Sequence, residues 1–172
     1  GTVGVKPTYG GVSRYGAMPL SFSCDNVGPL ARTARDCARI LSIIAGNDPK
    51  DPTSARVDVP DYEAALNGDL RGLRVGITDT YSFDNADAPV VAAVEEAARV
   101  LAGRGAIISR VKLPLMDAVS AYIAIISRSE AAAIHAQWMR ERPQDYGPAL
   151  SARMFPGYAI PAAYYIEALS RR

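Results

Sequence analysis

Residues 70–114, LRGLRVGITDTYSFDNADAPVVAAVEEAARVLAGRGAIISRVKLP, decide the fold class of this chain. Leu73 to Ile77 is a short apolar run entered through Gly72, the pattern of a strand. Asp87 stands where a helix N-cap is expected, with Pro89 in the first turn. Val90, Val91, Val94, Ala97, Ala98 and Leu101 then recur at helical spacing as a stripe for burial. Gly103 and Gly105 close the helix, and the apolar residues up to Pro114 supply a second strand. A strand, a helix and a strand in about forty residues form a βαβ unit, which requires parallel pairing and a right-handed crossover. The fold class expected is therefore α/β.

Upstream, GPLARTARDCARILSIIAGNDPKDPTS (28–54) carries the clearest helix. Thr33 is placed to cap it with Asp36 three residues on, and Cys37, Ile40, Leu41 and Ile44 share one face. Gly46 ends it. The pairs Asp48-Pro49 and Asp51-Pro52 forbid helix, so 47–54 reads as an exposed turn segment. Downstream, a long helix is expected from Asp117 to about Arg142. Its apolar face holds Val119, Tyr122, Ile123, Ile126, Ala133 and Ile134, and an advance of about 100° per residue sets Glu130 among them. A carboxylate there needs a partner, an arginine or backbone amides, so Glu130 is expected to be mostly buried and hydrogen-bonded. It reads as a structural acid ahead of a general acid or base. Pro143, Gly147, Pro148 and Pro156 break the following stretch, and Pro161 opens a final helix.

Composition narrows the partners. With 172 residues and 49% of them apolar, one substantial core can form. The 19 basic and 18 acidic residues are interspersed, which argues against nucleic acid or an anionic membrane. No window reaches the roughly 18 apolar residues of a membrane span, and no basic-then-apolar leader is present. Cys24 and Cys37 have no metal spacing and read as reduced thiols of a cytoplasmic protein, with Cys37 facing the core. The chain starts on Gly1 and on strand-like material, as a piece of a longer polypeptide would. Oligomeric state is left open, homo-oligomer included.

Residue types alone do not identify a reaction. The single histidine, His135, falls nearly opposite the stripe of its own helix and reads as solvated or partly packed, which leaves no Ser-His-acid triad. No metal-ligand spacing, Walker loop or dinucleotide fingerprint occurs, so neither a metal nor a cofactor is expected. Tyr164 and Tyr165 either line a pocket or fill core. The glycine-rich opening, VGVKPTYGGVSRYG (3–16), has the make-up of a tight loop beside an active site, yet no serine in it has a base beside it.

Five segments supply the missing context: GVKPTYGGVSRYG (4–16), DNVGPLARTARDCARILSIIAGNDPKDPTS (25–54), LRGLRVGI (70–77), SEAAAIHAQWMRERPQDYGPALSARM (129–154) and PAAYYIEALSRR (161–172). In this order they resemble the amidase signature family of serine hydrolases, and the last two its stand-alone bacterial amidases. The resemblance implies a mixed, mainly parallel β-sheet with helices on both faces, of which residues 1–172 would be an incomplete part. It implies hydrolysis of carboxamides through an acyl-enzyme, by a serine, a second serine after a cis peptide bond, and a lysine. All three would precede the Val3–Gly10 counterpart, so none is expected in this chain, and Lys6 belongs to the Lys-Pro-Thr motif instead. On the same basis this chain alone would be inactive, and its small-molecule amide would be touched by Asp25, Tyr158 and Tyr164. Asp25 lies in the counterpart of the family's S-L-D-Q-x-G-P string, with Cys24 for the usual leucine and Asn26 for the usual glutamine. The amidase-family subunit of the glutaminyl/asparaginyl-tRNA amidotransferase is the related alternative, ranked lower because 135–148 resembles the stand-alone enzymes. A non-catalytic interaction module is the other alternative, and it would leave an apolar face or sheet edge uncovered. The loop also implies that Gly4 and Gly10 occupy positions closed to a side chain.

Overall fold

A computed structural model of the chain describes residues 1–66, 68–78 and 83–172. The chain divides into two compact units, Gly1–Leu66 with Tyr122–Arg172, and Asn67–Ala121.

The first unit begins with β1 (Val3–Gly4), antiparallel to β2 (Leu30–Ala31). Helix α1 (Ala34–Ile44) follows, and the hydroxyl of Thr33 accepts from the Asp36 amide as its N-cap. Cys37 and Leu41 are buried on its inner face as the spacing required, while Ile40, expected beside them, is exposed. Residues 47–54 do turn at each Asp-Pro pair, but they are not an exposed segment. Asp51 and Ser54 are buried. Asp51 accepts from the Thr53 amide and hydroxyl at 2.9 and 2.6 Å and from the Arg14 amide at 2.8 Å, so this turn folds back onto the N-terminal loop. Gly10 lies beneath it with φ +80, and a Cβ there would be 2.7 Å from the Thr53 carbonyl oxygen. A Cβ at Gly4 would meet only the tip of the Leu30 side chain, at 2.8 Å.

The second unit is the βαβ element: β3 (Arg74–Thr78), α2 (Ala88–Gly103) and β4 (Ile107–Val111), with β3 and β4 parallel in the register Arg74↔Ile107 to Thr78↔Val111. With an antiparallel and a parallel ladder among helices in the described residues, the chain has the mixed α/β class read from its sequence. Asp87 occupies the N-cap position of α2 but makes no side-chain capping bond. The stripe expected to be buried is only partly so: Ala98 is buried, while Val90 and Val94 are exposed. Two strands about 5 Å apart are too narrow to cover a helix of this length, and a cavity of about 310 Å³ stays open between Ile77 of β3 and Val94, Ala97 and Leu101 of α2.

Helix α3 (Met116–Glu141) leads back into the first unit, where α4 (Pro148–Met154), a 3-10 turn (Phe155–Ala159) and α5 (Ala162–Arg171) complete it. The sequence reading assumed one buried face for α3. Of that face Ile126 and Glu130 are buried while Val119, Ile123 and Ala133 are exposed, and Ala131, Ala132, His135 and Met139 are buried on the opposite side. His135 is therefore buried, 6% exposed, and not solvated. Its side carries the cluster of Ala131, Met139 and Met154 with Tyr146. Gly157 brings the 3-10 turn onto α3 so closely that a Cβ would lie 2.1 Å from the Arg128 carbonyl oxygen. Among the described residues no helix is long and apolar enough to cross a membrane.

Candidate functional site

The site is built on the loop Leu20–Asn26, which is fastened from within and from two neighbouring elements. Within the loop, Asp25 Oδ2 accepts from the amides of Leu20 and Ser21 at 2.8 and 3.0 Å. The amides of Cys24 and Asp25 donate to the Ser21 carbonyl at 3.3 and 3.1 Å. From α3, Glu130 takes both serines that flank Phe22. Its Oε2 accepts from the Ser21 hydroxyl at 2.5 Å and the Ser23 amide at 3.0 Å, and its Oε1 from the Ser23 hydroxyl at 2.8 Å. From α5, the Tyr165 hydroxyl donates to the same Oε1 at 2.8 Å. Glu130 is 3% exposed, so the expectation of a buried, hydrogen-bonded acid holds, with serines, one amide and a tyrosine in place of an arginine.

The N-terminal loop secures the same segment. The Phe22 carbonyl accepts from Arg14 Nη1 at 2.7 Å and from the Tyr9 hydroxyl at 3.0 Å, while the Arg14 guanidinium lies 4.7 Å from the centre of the Tyr9 ring. At the other end, His135 Nε2 is 3.0 Å from the Pro19 carbonyl and Nδ1 is 2.9 Å from the Tyr146 hydroxyl. A carbonyl only accepts, so Nε2 donates to Pro19, and Nδ1 is paired with the Tyr146 hydroxyl.

Electrostatics follow from these bonds. Burial alone would raise the Glu130 carboxyl, but the hydrogen bonds from Ser21, Ser23 and Tyr165 outweigh it and hold the group below its ordinary value. Burial and the bond to Glu130 push the Tyr165 phenol up. The Thr53 hydroxyl, then the amides of Arg14 and Thr53, bring Asp51 down to about 2. Asp48 is lowered chiefly by the Ser13 hydroxyl, 2.7 Å away. Each serine of the loop system that touches a carboxylate thus touches one depressed away from neutrality, a poor general base.

Two cavities meet at Phe22. One, of about 410 Å³, is lined by Tyr15, Met18, Phe22, Asp25, Asn26 and Lys50 among others. The other, of about 330 Å³, is lined by Phe22, Ser129, Glu130, Ile160 and Tyr165 among others. Ser129 Oγ is buried without a hydrogen-bond partner among the described residues. Of the residues expected to touch a substrate, Asp25 lines the first cavity. Tyr158 and Tyr164 line neither: Tyr158 directs its hydroxyl to Met139 Sδ at 3.7 Å, and Tyr164 is exposed. Tyr165, one position on, faces Glu130 instead. Phe22 lies in the stretch PLSFSCDNVGP (19–29) that the family resemblance gives to the pocket, whereas nothing in the sequence singles out Arg14 or Lys50. No cluster of His, Cys, Asp and Glu suited to a metal ion occurs among the described residues, and Cys24 and Cys37 are free thiols.

The comparisons with known proteins agree along the length of the chain. The family model described as Amidase matches residues 1–159. Among curated relatives, a Glutamyl-tRNA(Gln) amidotransferase subunit of Carboxydothermus hydrogenoformans is 38% identical over all of this chain and 40% of its own length. The corresponding protein of Roseiflexus castenholzii is 40% identical over 96% of this chain and 38% of its own length. The chain thus spans about two fifths of the curated relatives it matches. Among solved structures, a chain from a vestigial protein complex that reveals the evolutionary origins of an s-triazine catabolic enzyme superposes with a TM-score of 0.88 at 32% identity, over 98% of this chain and 36% of that one. The native peptide amidase of Stenotrophomonas maltophilia gives 0.70 at 30% identity, over 94% and 38%.

Proposed function

This chain belongs to the amidase family, and we propose that it is the part of a carboxamide hydrolase that walls the acyl side of the substrate site. The whole protein would attack the amide carbon with a serine, release ammonia or an amine, and hydrolyse the acyl-enzyme with water. The observation that carries this reading is the chain-long superposition on amidase-family structures. The serine nucleophile, the second serine and the lysine would come from the stretch that precedes the counterpart of Val3–Gly10. Consistent with that division, Ser13, Ser21 and Ser23 are bound to depressed carboxylates, and His135 is bound to a carbonyl and a phenol. None has an activated base.

The surface also disfavours a self-sufficient interaction module. The chain exposes 11883 Å², against about 8,100 Å² for a compact monomer of its mass, or roughly 9,700 Å² for two separate compact units of these sizes. Large apolar side chains such as Ile43 and Leu30 are 81% and 76% exposed. The remainder of an amidase would cover such residues.

The test is hydroxamate formation by the whole protein from small carboxamides and hydroxylamine, which trap an acyl-enzyme. The 172-residue chain alone should give no turnover and no labelling by a fluorophosphonate. An inert whole protein, or stoichiometric labelling of Ser13, Ser21 or Ser23 in the short chain, refutes the reading. A second reading, the amidase-family component of a tRNA-dependent amidotransferase, is favoured by the curated relatives. Under it, glutamine would be the preferred ammonia donor and simple aliphatic amides poor ones.

A further inference from the structure

Phe22 combines two properties that are rarely found together. The residue is 56% exposed, yet its backbone is held on both sides and at its carbonyl. Glu130 grips the residue on either side of it, and Arg14 and Tyr9 hold its carbonyl. An exposed aromatic gains nothing for the core from such fixing, whereas a wall between two ligand cavities requires it. Phe22 lines both the cavity with Asp25 and Lys50 and the cavity with Ser129, Glu130 and Tyr165. Ser129 also lines the second cavity, with its hydroxyl buried.

We infer that Phe22 sorts substrates by the length of their acyl group, and that Glu130 is the positioning residue that holds Phe22 in place. The inference rests on the amide-hydrolase reading. With Phe22 present, the cavity beside Asp25 ends at its ring and takes short acyl groups. Without the ring, the space continues toward Ser129 and Tyr165, and a longer linear acyl chain fits. Glu130 acts through geometry and not through its charge. Gln at this position, with its carbonyl oxygen in place of Oε2, still accepts from the Ser21 hydroxyl and the Ser23 amide. Its NH₂, in place of Oε1, donates to the Ser23 and Tyr165 hydroxyls, which can turn to accept.

The experiment measures kcat/KM of the whole protein on propanamide and octanamide. Phe22→Ala should raise the octanamide-to-propanamide ratio by about tenfold or more, the scale of discrimination set by a few methylenes, and Phe22→Trp should lower it. Glu130→Ala should shift the ratio in the direction of Phe22→Ala, and Glu130→Gln should keep the wild-type ratio. A purely structural Glu130 would lower both rates together and leave the ratio alone. Alkylation of Cys24, with buried Cys37 as the internal control, should quicken by well over tenfold in Glu130→Ala and by no more than about fivefold in Glu130→Gln. Should Glu130→Ala fail to accumulate, the two Phe22 variants, altered at an exposed side chain, carry the test. An active wild type whose ratio is unmoved by both Phe22 variants overturns the inference, as does a Glu130→Gln variant that behaves like Glu130→Ala. A wild type with no amide turnover overturns the amide-hydrolase reading, and this inference with it.

Discussion

Replacing Glu130 with alanine removes the acceptor of four hydrogen bonds at once: those from the Ser21 hydroxyl, the Ser23 amide, the Ser23 hydroxyl and the Tyr165 hydroxyl. The hydroxyls can turn toward other acceptors or water, but the amide cannot. Leaving a buried donor unpaired costs about 1–3 kcal/mol, and breaking a buried charged cluster about 3–5. With that relief, the local cost should be about 3 kcal/mol. Amide hydrogen exchange of residues 20–25 in the whole protein reads it directly, as roughly hundredfold faster exchange. Glutamine keeps the geometry but loses charge assistance, for about 1 kcal/mol. The pH dependence has a definite sign. The folded Glu130 carboxyl lies below its ordinary value, so the margin of wild type over Glu130→Gln is full above the unfolded value. It shrinks as pH falls through the folded one. Exchange in Glu130→Ala within about twofold of wild type at neutral pH, or a margin that grows on acidification, would refute the account.

Three further outcomes are expected. Gly157→Ala should destabilise by about 2 kcal/mol or more in thermal unfolding, because its Cβ would lie 2.1 Å from a carbonyl oxygen of α3, while Gly147→Ala, with open space around it, should be tolerated. Glu63, paired with Arg39 at 2.7 Å and Arg35 at 2.6 Å, should titrate at about 2 by NMR, and Arg39→Met should move it upward toward the ordinary value. His135→Leu leaves the Pro19 carbonyl without its donor, and should cost about 1–3 kcal/mol and speed exchange at residues 19–21 more than in α1.

What the sequence revealed was local or periodic. The Thr33 cap needs only the Asp36 amide three residues away, and the parallel pairing of β3 and β4 follows from a helix between two strands. What it concealed depends on what lies opposite. The stripe Val90–Val94–Leu101 is written for a wider sheet than two strands provide. A helical wheel that supposes one covered side leaves His135 solvated or partly packed, whereas residues on its side of α3 are buried too. In the candidate site, the motif string pointed to Asp25, and it does line a cavity. Phe22 belongs to the same stretch, but its fixing is not legible there, because Glu130, Tyr9 and Arg14 converge on its neighbours and its carbonyl from elsewhere in the chain. Tyr165, not Tyr164, reaches the site because one step along α5 turns a side chain through about 100°.

The clasp between Glu130 and the serines also has a place in time. Ser21 and Glu130 are 109 residues apart in the chain, and Tyr165 is added later still. At about 5–20 residues per second of synthesis, the ribosome delivers Phe22 many seconds before Glu130 exists to hold the serines on either side of it. Until then only Tyr9, Arg14 and Asp25, all close by in the chain, can fasten the segment that carries the aromatic, the free Cys24 thiol and the two serines. The wall of the pocket is thus among the first parts of this region to be made and among the last to be set, and its completion reports that α5 has arrived.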